Sequence, residues 1–437
     1  MCLRTLIRFL WNVMYWMMVT CGYYHIKSSN DYKYPGFTFK VYSTYNKARR
    51  GAIVTPHGTI QTPAFIFCAT KATMKSTTMS EMKDNKTQII LSNTYHLFLR
   101  GADIIKKHGG LHKTIGWTGP ILTDSGGYQV FAMNHGSVSR DTKTDTTTEG
   151  DIKGSRTTTF KPTLLKVTND SAKFRCYYTK RIVELTPEKS IQTQLDLGSD
   201  IVVVFDECTS SDVKYAGTEK SMVRSHLWER RSYDYFMKHR TAKQALYGIV
   251  QGGVYLDLRK RSCEFNNTMP FFGIAVGGCL GKTKEEMYDT VNYTMSCLRK
   301  DRPVHLLGIG YIRDIFHGVR QGIDTFDCVH PSRIARHGSA YVPAKYQLTE
   351  GEKKTSYIDL SKGKFSEDLS PIFKECKCST CLNYSRAYIN LLIRMKETMG
   401  FHLITNHNVY FFNQMFEDIR EGIVQHDLKY VEQYYIA

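Results

Sequence analysis

Apolar residues in this chain arrive in short blocks, each closing on small or polar residues. The blocks are TPAFIFCAT (62–70), QIILSNTYH (88–96), PILTDSGG (120–127), DIVVVFDEC (200–208), ALYGIVQGG (245–253), FFGIAVGG (271–278), VHLLGIG (304–310) and DTFDCV (324–329). A strand with one wet face alternates apolar and polar residues, whereas a strand covered on both faces is apolar throughout, as in a parallel sheet. The segments between the blocks have helical periodicity. Pro187 opens PEKSIQTQLDLG as a helix first turn. EKSMVRSHLWERRSYDYFMKHR, KTKEEMYDTVNYTMSCLRK and IRDIFHGVRQG are amphipathic at helical spacing. Eight buried strands alternating with helices predict an α/β fold, a closed (β/α)8 barrel. An open doubly wound sheet is the alternative, but no GxGxxG follows the first strand.

The barrel pattern runs over residues 36–345 and is interrupted at 137–185. There TKTDTTTEGDIKGSRTTT lacks any apolar period and reads as a surface insertion. LLKVTNDSAKFRCYYTKRIVEL, which follows it, alternates as a β-hairpin with an Asn-Asp turn. Residues 346–437 turn polar, pass through a cysteine cluster and end in a long helical tail. Residues 1–35 stand apart. Arg4 and Arg8 precede an apolar run that resembles a secretory signal or membrane anchor, and less closely a mitochondrial presequence. The barrel itself is expected in the cytoplasm, with membrane tethering or mitochondrial targeting as the alternatives this segment raises.

In a barrel the carboxyl ends of the strands form the active face. The residues closing these blocks, Asn93, Asp124, Asp206, Gln251, Gly278 and Asp327, are therefore expected to meet in one pocket. Taken alone, each has an ordinary reading as a turn cap or a glycine-rich corner. Together they place carboxylates, an amide and accessible backbone around one space, a set able to read the donor and acceptor edges of a purine. Tyr128, after the Gly-Gly of DSGGYQVF, offers a ring for stacking on a planar base. TFDCVHPSRIARHG (325–338) joins the acid Asp327 to Arg333 and Arg336, a cationic turn suited to phosphate.

Charge sharpens this picture. Lys and Arg number 59 against 41 Asp and Glu, a net charge of +18 over 437 residues. Such an excess favours a polyanionic partner, nucleic acid ahead of a membrane surface. Most of the 12 cysteines are scattered, which argues against a disulfide scaffold. Cys376, Cys378 and Cys381 are the exception. Three thiols within six residues suit a structural zinc ion, with His402 or His407 as the fourth ligand.

DSGGYQ, FDECT, GIVQGG, AVGG, FDCVHPSRIARHG and the CxCxxC with a later His, in this order, resemble the tRNA-guanine transglycosylase family over about residues 37–422. The resemblance implies exchange of guanine at the anticodon wobble position for queuine or a deazaguanine precursor. By the same resemblance Asp327 is the nucleophile and Asp124 the general acid and base. It also makes Asp206, Gln251, Gly278 and Tyr128 base-binding residues, and Arg333 and Arg336 tRNA contacts. Cys376, Cys378, Cys381 and His407 become the zinc ligands, and a homodimer or a heterodimer with a non-catalytic paralogue is implied. Departures are HPSR where LPTR is usual and LFLRGAD without the usual Pro-Gly. Gly281 also stands where bacterial members carry a bulky residue, which favours queuine over the smaller aminomethyl base.

The chemistry can be reasoned independently of the family. Breaking an N-glycosidic bond builds oxocarbenium-like charge, which one carboxylate captures covalently while a second moves the proton of the base. Two other classes remain open on sequence alone: a barrel glycosidase, and a non-catalytic RNA-binding subunit.

Overall fold

The structure, a computed structural model, describes residues 34–132, 164–241, 243–347 and 355–436. The N-terminal apolar segment and the Thr-rich stretch lie outside the described residues.

The chain first forms an antiparallel sheet of β1 (Thr38–Tyr45), β2 (Ala48–Thr55) and β3 (Gly58–Thr62). Strands β4 (Ala64–Cys68), β5 (Ile90–Ser92) and β6 (Ile121–Thr123) then begin the barrel. An excursion sheet follows, with β7 (Leu164–Val167), β8 (Ala172–Arg175) and β9 (Ile182–Leu185). The barrel resumes with β10 (Ile201–Val203), β11 (Ala245–Val250), β12 (Gly273–Val276), β13 (Val304–Leu306) and β14 (Thr325–Cys328). β14 pairs in parallel with β4, opposing Asp327 to Ile66, and β6 pairs with β10, so eight parallel strands close the barrel. A final pair, β15 (Ser339–Tyr341) and β16 (Tyr357–Asp359), lies beyond it.

Every apolar block became a barrel strand, and the open-sheet alternative is excluded by closure. The hairpin expectation was one strand short. The Asn169-Asp170 turn does join β7 to β8, but CYYTKR makes a second turn and β9 completes three strands. The helices fall where the periodicity put them. Pro187 opens helix Pro187–Leu197, whose N-cap Thr186 accepts a bond from Lys189 N and whose C-cap Gly198 takes φ +69°. Tyr215–His239, Lys284–Cys297 and Ile312–Arg320 are the other three expected helices.

The first sheet closes the amino end of the barrel. Ile53 and Ile60 pack with the barrel-interior residues Ile66, Leu91, Leu122, Ile201 and Tyr247. Buried Arg49 pins this sheet through Nε to Asp324 Oδ1 at 2.9 Å and through Nη2 to the Arg302 carbonyl at 2.8 Å. Asp200 works similarly, accepting from Ile121 N at 2.9 Å and pairing with His57 Nδ1 at 2.7 Å. His112, stacked on His57, directs Nε2 to the Gly119 carbonyl at 3.0 Å. Each ligand-type atom of this His-His-Asp group thus has a partner already, and the group ties sheet to barrel.

Helix Thr398–Val424 lies across the β14–β4 seam, with Phe412 on Phe65 (4.8 Å between centroids) and Phe416 on Phe326 (5.9 Å). It supplies the outer helix that the barrel needs after its eighth strand. The helix is anchored just beyond β14: Asn408 on it donates to the Pro331 and Ser339 carbonyls and accepts from Tyr341 N.

Candidate active site

Strand ends converge on a cavity of about 450 Å³ lined by Asp124, Tyr128, Asp206, Gln251, Gly278, Asp327 and Arg333, among others. Seven of the eight non-metal site residues expected from sequence therefore border one space, with Tyr128 at its rim, 42% exposed; Asn93, a strand-end residue, joins them. Arg336 is the one that does not line it. It is half-buried and donates from Nη1 to the Ser332 carbonyl at 2.6 Å.

Asp327 is 9% exposed at the end of β14, and its Oδ1 accepts from Gly308 N at 2.9 Å. Asp124, at the end of β6, accepts from Thr94 N at 2.9 Å and from the Asn93 amide. Burial raises the Asp124 carboxyl to about 7, against the pull of the Thr94 amide and with help from the charges of Asp327 and Asp206. A carboxyl poised near neutrality can both give and take a proton at working pH.

Asp206 follows β10 and is buried; its Oδ1 accepts from Ser125 Oγ at 2.8 Å and its Oδ2 from Gln251 Nε2 at 2.7 Å. Burial lifts this carboxyl to about 6, opposed by the bonds from Ser125 and Gln251. Gln251 is oriented by that bond, and its buried Oε1 has no hydrogen-bond partner among the described residues. An unsatisfied carbonyl oxygen beside a carboxylate presents two acceptors to a ligand bearing N–H groups. Two glycines make room here. A side chain at Gly127 would meet the Asp206 carbonyl at 2.4 Å, and one at Gly278, where φ is +58°, would meet Gln251 Oε1 at 2.5 Å.

Gly281 also borders the cavity, but its φ is +63° and a Cβ there would approach Glu286 Oε2 at 2.9 Å. Glu286 accepts from Lys282 N at 2.6 Å and so holds this turn. Beyond the rim lie cations. Burial lowers Lys75, as do the charges of Arg336, Lys71 and Arg333, which places all four in one electropositive neighbourhood.

The metal-type cluster is separate and wholly buried. His407 Nδ1 lies 3.7 Å from Cys376 Sγ and 3.4 Å from both Cys378 Sγ and Cys381 Sγ. Bonds of about 2.3 Å to sulfur and 2.0 Å to nitrogen put tetrahedral ligand atoms roughly 3.6 Å apart, so the four donors fit a metal ion of zinc type. His407 Nε2 donates to the Tyr341 carbonyl at 2.8 Å, leaving the Nδ1 lone pair toward the sulfurs. His402, the other candidate, instead pairs with Glu81 at 2.8 Å and contacts Asn406.

Sequence reasoning passed over three contributors. Ser125 orients Asp206, the Gly308 amide holds Asp327, and His305 of β13 places Nε2 3.2 Å from Asp327. A histidine inside the apolar block VHLLGIG was the available signal.

This fold and site define a (β/α)8-barrel protein with a carboxylate-lined pocket at the carboxyl face and a Cys3His cluster packed behind it. The family model described as queuine tRNA-ribosyltransferase matches residues 44–163 and 150–437. A queuine tRNA-ribosyltransferase of Roseiflexus sp. is 39% identical over 403 residues, covering 89% of this chain and 96% of that protein. One of Staphylococcus aureus is 39% identical over 409 residues, covering 92% and 97%. The chain belongs to the queuine tRNA-ribosyltransferase family. Among the described residues no helix is long and apolar enough to cross a membrane.

Proposed function

We propose that this chain is a tRNA-guanine transglycosylase that replaces guanine at the wobble position through a covalent Asp327–ribose intermediate. Asp327 attacks C1′ of the ribose as the C1′–N9 bond breaks, and guanine leaves with a proton from Asp124. The incoming base then returns a proton to Asp124 as its N9 bonds to C1′, releasing Asp327. One bond of each kind forms for each that breaks, so no cofactor takes part in the exchange. Asp206 and Gln251 present acceptors to the base, Gly278 leaves the space they need, and Tyr128 at the rim supplies a stacking ring. Arg333 contacts RNA phosphate, joined by Arg336, Lys71 and Lys75 around the mouth. Zinc held by Cys376, Cys378, Cys381 and His407 keeps helix Thr398–Val424 seated and performs no chemistry.

The observation that carries this reading is the pairing, in one cavity, of buried Asp327 with an Asp124 carboxyl raised to about 7. We take queuine as the base: Gly281 borders the cavity and carries no side chain. The enzyme acts in the cytoplasm, as a homodimer or with a non-catalytic paralogue. The test is to incubate the protein with tRNA and labelled guanine. Label should enter the tRNA, and Asp327→Ala should abolish a denaturation-resistant protein–RNA adduct while tRNA binding persists. Release of guanine without incorporation would favour a glycosidase, and binding without either a non-catalytic subunit. Much higher efficiency with the aminomethyl base than with queuine would overturn the base assignment.

A further inference from the structure

Asp327 has to serve twice in the exchange, as attacking group and then as leaving group, so its two oxygens need distinct surroundings. Oδ1 accepts from the Gly308 amide at 2.9 Å and lies 3.2 Å from His305 Nε2. Oδ2 has a weaker neighbour, the Cys68 thiol at 3.5 Å. Burial, together with the Asp327 charge, pushes that thiol well up, so it stays a neutral donor.

His305 is the group without an evident structural duty. Its side chain is 0% exposed on β13, where an aliphatic residue would fill the same volume. Nδ1 sits 3.0 Å from Thr325 Oγ1, on the neighbouring strand directly opposite in register. Nε2 is close to Asp327 but out of line for a full hydrogen bond, and it has no other partner among the described residues. Contacts of this kind tighten when a ligand or reacting group pulls the acceptor into place. With the Thr325 hydroxyl donating to Nδ1, the imidazole proton resides on Nε2, the nitrogen nearer the carboxylate.

We infer that His305 is a positioning residue for Asp327: its Nε2–H joins the Gly308 amide on Oδ1, leaving Oδ2 as the oxygen that bonds to ribose. Two donors on one oxygen fix the carboxylate plane. They also disperse its charge, which helps the carboxylate leave when the new base attacks. The inference rests on the proposed role of Asp327 as nucleophile.

Single-turnover formation of the protein–RNA adduct on the full chain tests it, because amplitude reports the active fraction and the rate constant reports chemistry. His305→Phe keeps a planar ring and removes the donor. The rate constant should fall about 10- to 100-fold with amplitude and tRNA affinity preserved. His305→Gln, which can restore a donor near Nε2, should recover most of it. A merely structural role predicts the reverse pattern, lost amplitude and an unchanged rate constant. An unchanged rate constant in His305→Phe, or His305→Gln no faster than His305→Phe, overturns the inference. Should His305→Phe fail to fold, Thr325→Val removes the hydroxyl that sets the tautomer. It should slow the same step several-fold at full amplitude, and an unaltered rate would overturn the inference. Adduct formation by Asp327→Ala would instead refute the nucleophile itself, whatever the histidine variants do.

Discussion

Gly278→Ala isolates the base-reading half of the pocket with a single methyl group. Two penalties follow from the geometry. The backbone there has φ +58°, a left-handed conformation that costs an alanine about 1–2 kcal/mol. The new Cβ would also lie 2.5 Å from Gln251 Oε1, too close for any carbon, so the carboxamide has to turn away. Its other arm, Nε2, holds Asp206 Oδ2 at 2.7 Å. At pH 7.5 Asp206 is mostly ionised, since its carboxyl is raised only to about 6. A hydrogen bond to a charged group contributes about 1.5–3 kcal/mol, part of which is lost when the carboxamide swings. If about 2 kcal/mol of this falls on the ligand-ready arrangement, the free base should bind roughly 30-fold more weakly. Calorimetric titration with guanine reads this directly, and the salt dependence of tRNA affinity measured in parallel should not change. The decisive comparison is a double-mutant cycle with Gln251→Ala. Without the carboxamide, Gly278→Ala should retain only its backbone penalty. Equal losses in both backgrounds, or no loss in the native one, would refute the clash argument.

Metal analysis should return about one zinc per chain, and Cys378→Ser should lose both the metal and thermal stability; a folded, active, metal-free preparation would contradict this. On the proposed role of Asp124 as the acid that expels guanine, kcat/KM for adduct formation should fall as pH rises through about 7, approaching tenfold per unit. Asp124→Asn should slow the step by about 10²- to 10⁴-fold and flatten that limb, and a limb that survives in the variant would assign it elsewhere. Affinity for tRNA should drop steeply with salt, and Arg333→Ala should reduce the logarithmic slope by about 1; a salt-insensitive affinity would exclude the electrostatic reading.

The sequence by itself determined the barrel and which residues meet at the carboxyl ends of its strands. Strands covered on both faces have to be apolar throughout, so their number and order could be read directly as blocks such as DIVVVFDEC and GIVQGG. A barrel also forces strand ends together, which is why Asp124, Asp206, Gln251 and Asp327 were legible as neighbours around one cavity. The cysteine triad was equally plain, since three thiols within six residues carry their own meaning.

What the sequence left open depended on contacts between distant segments. His402 and His407 are both on one helix five residues apart. Only the seating of that helix against Tyr341 turns His407 toward the sulfurs and His402 toward Glu81. The third strand of the excursion sheet went unseen because CYYTKR has no Gly or Asn-Gly to mark its turn. Arg49 and Asp324 lie 275 residues apart, and no local pattern connects them. The approach of His305 to Asp327 belongs to the same class. Each sits in an apolar strand whose local signal concerns burial alone. The parallel register of β13 with β14 decides that the two side chains meet, and register is set by closure of the whole barrel.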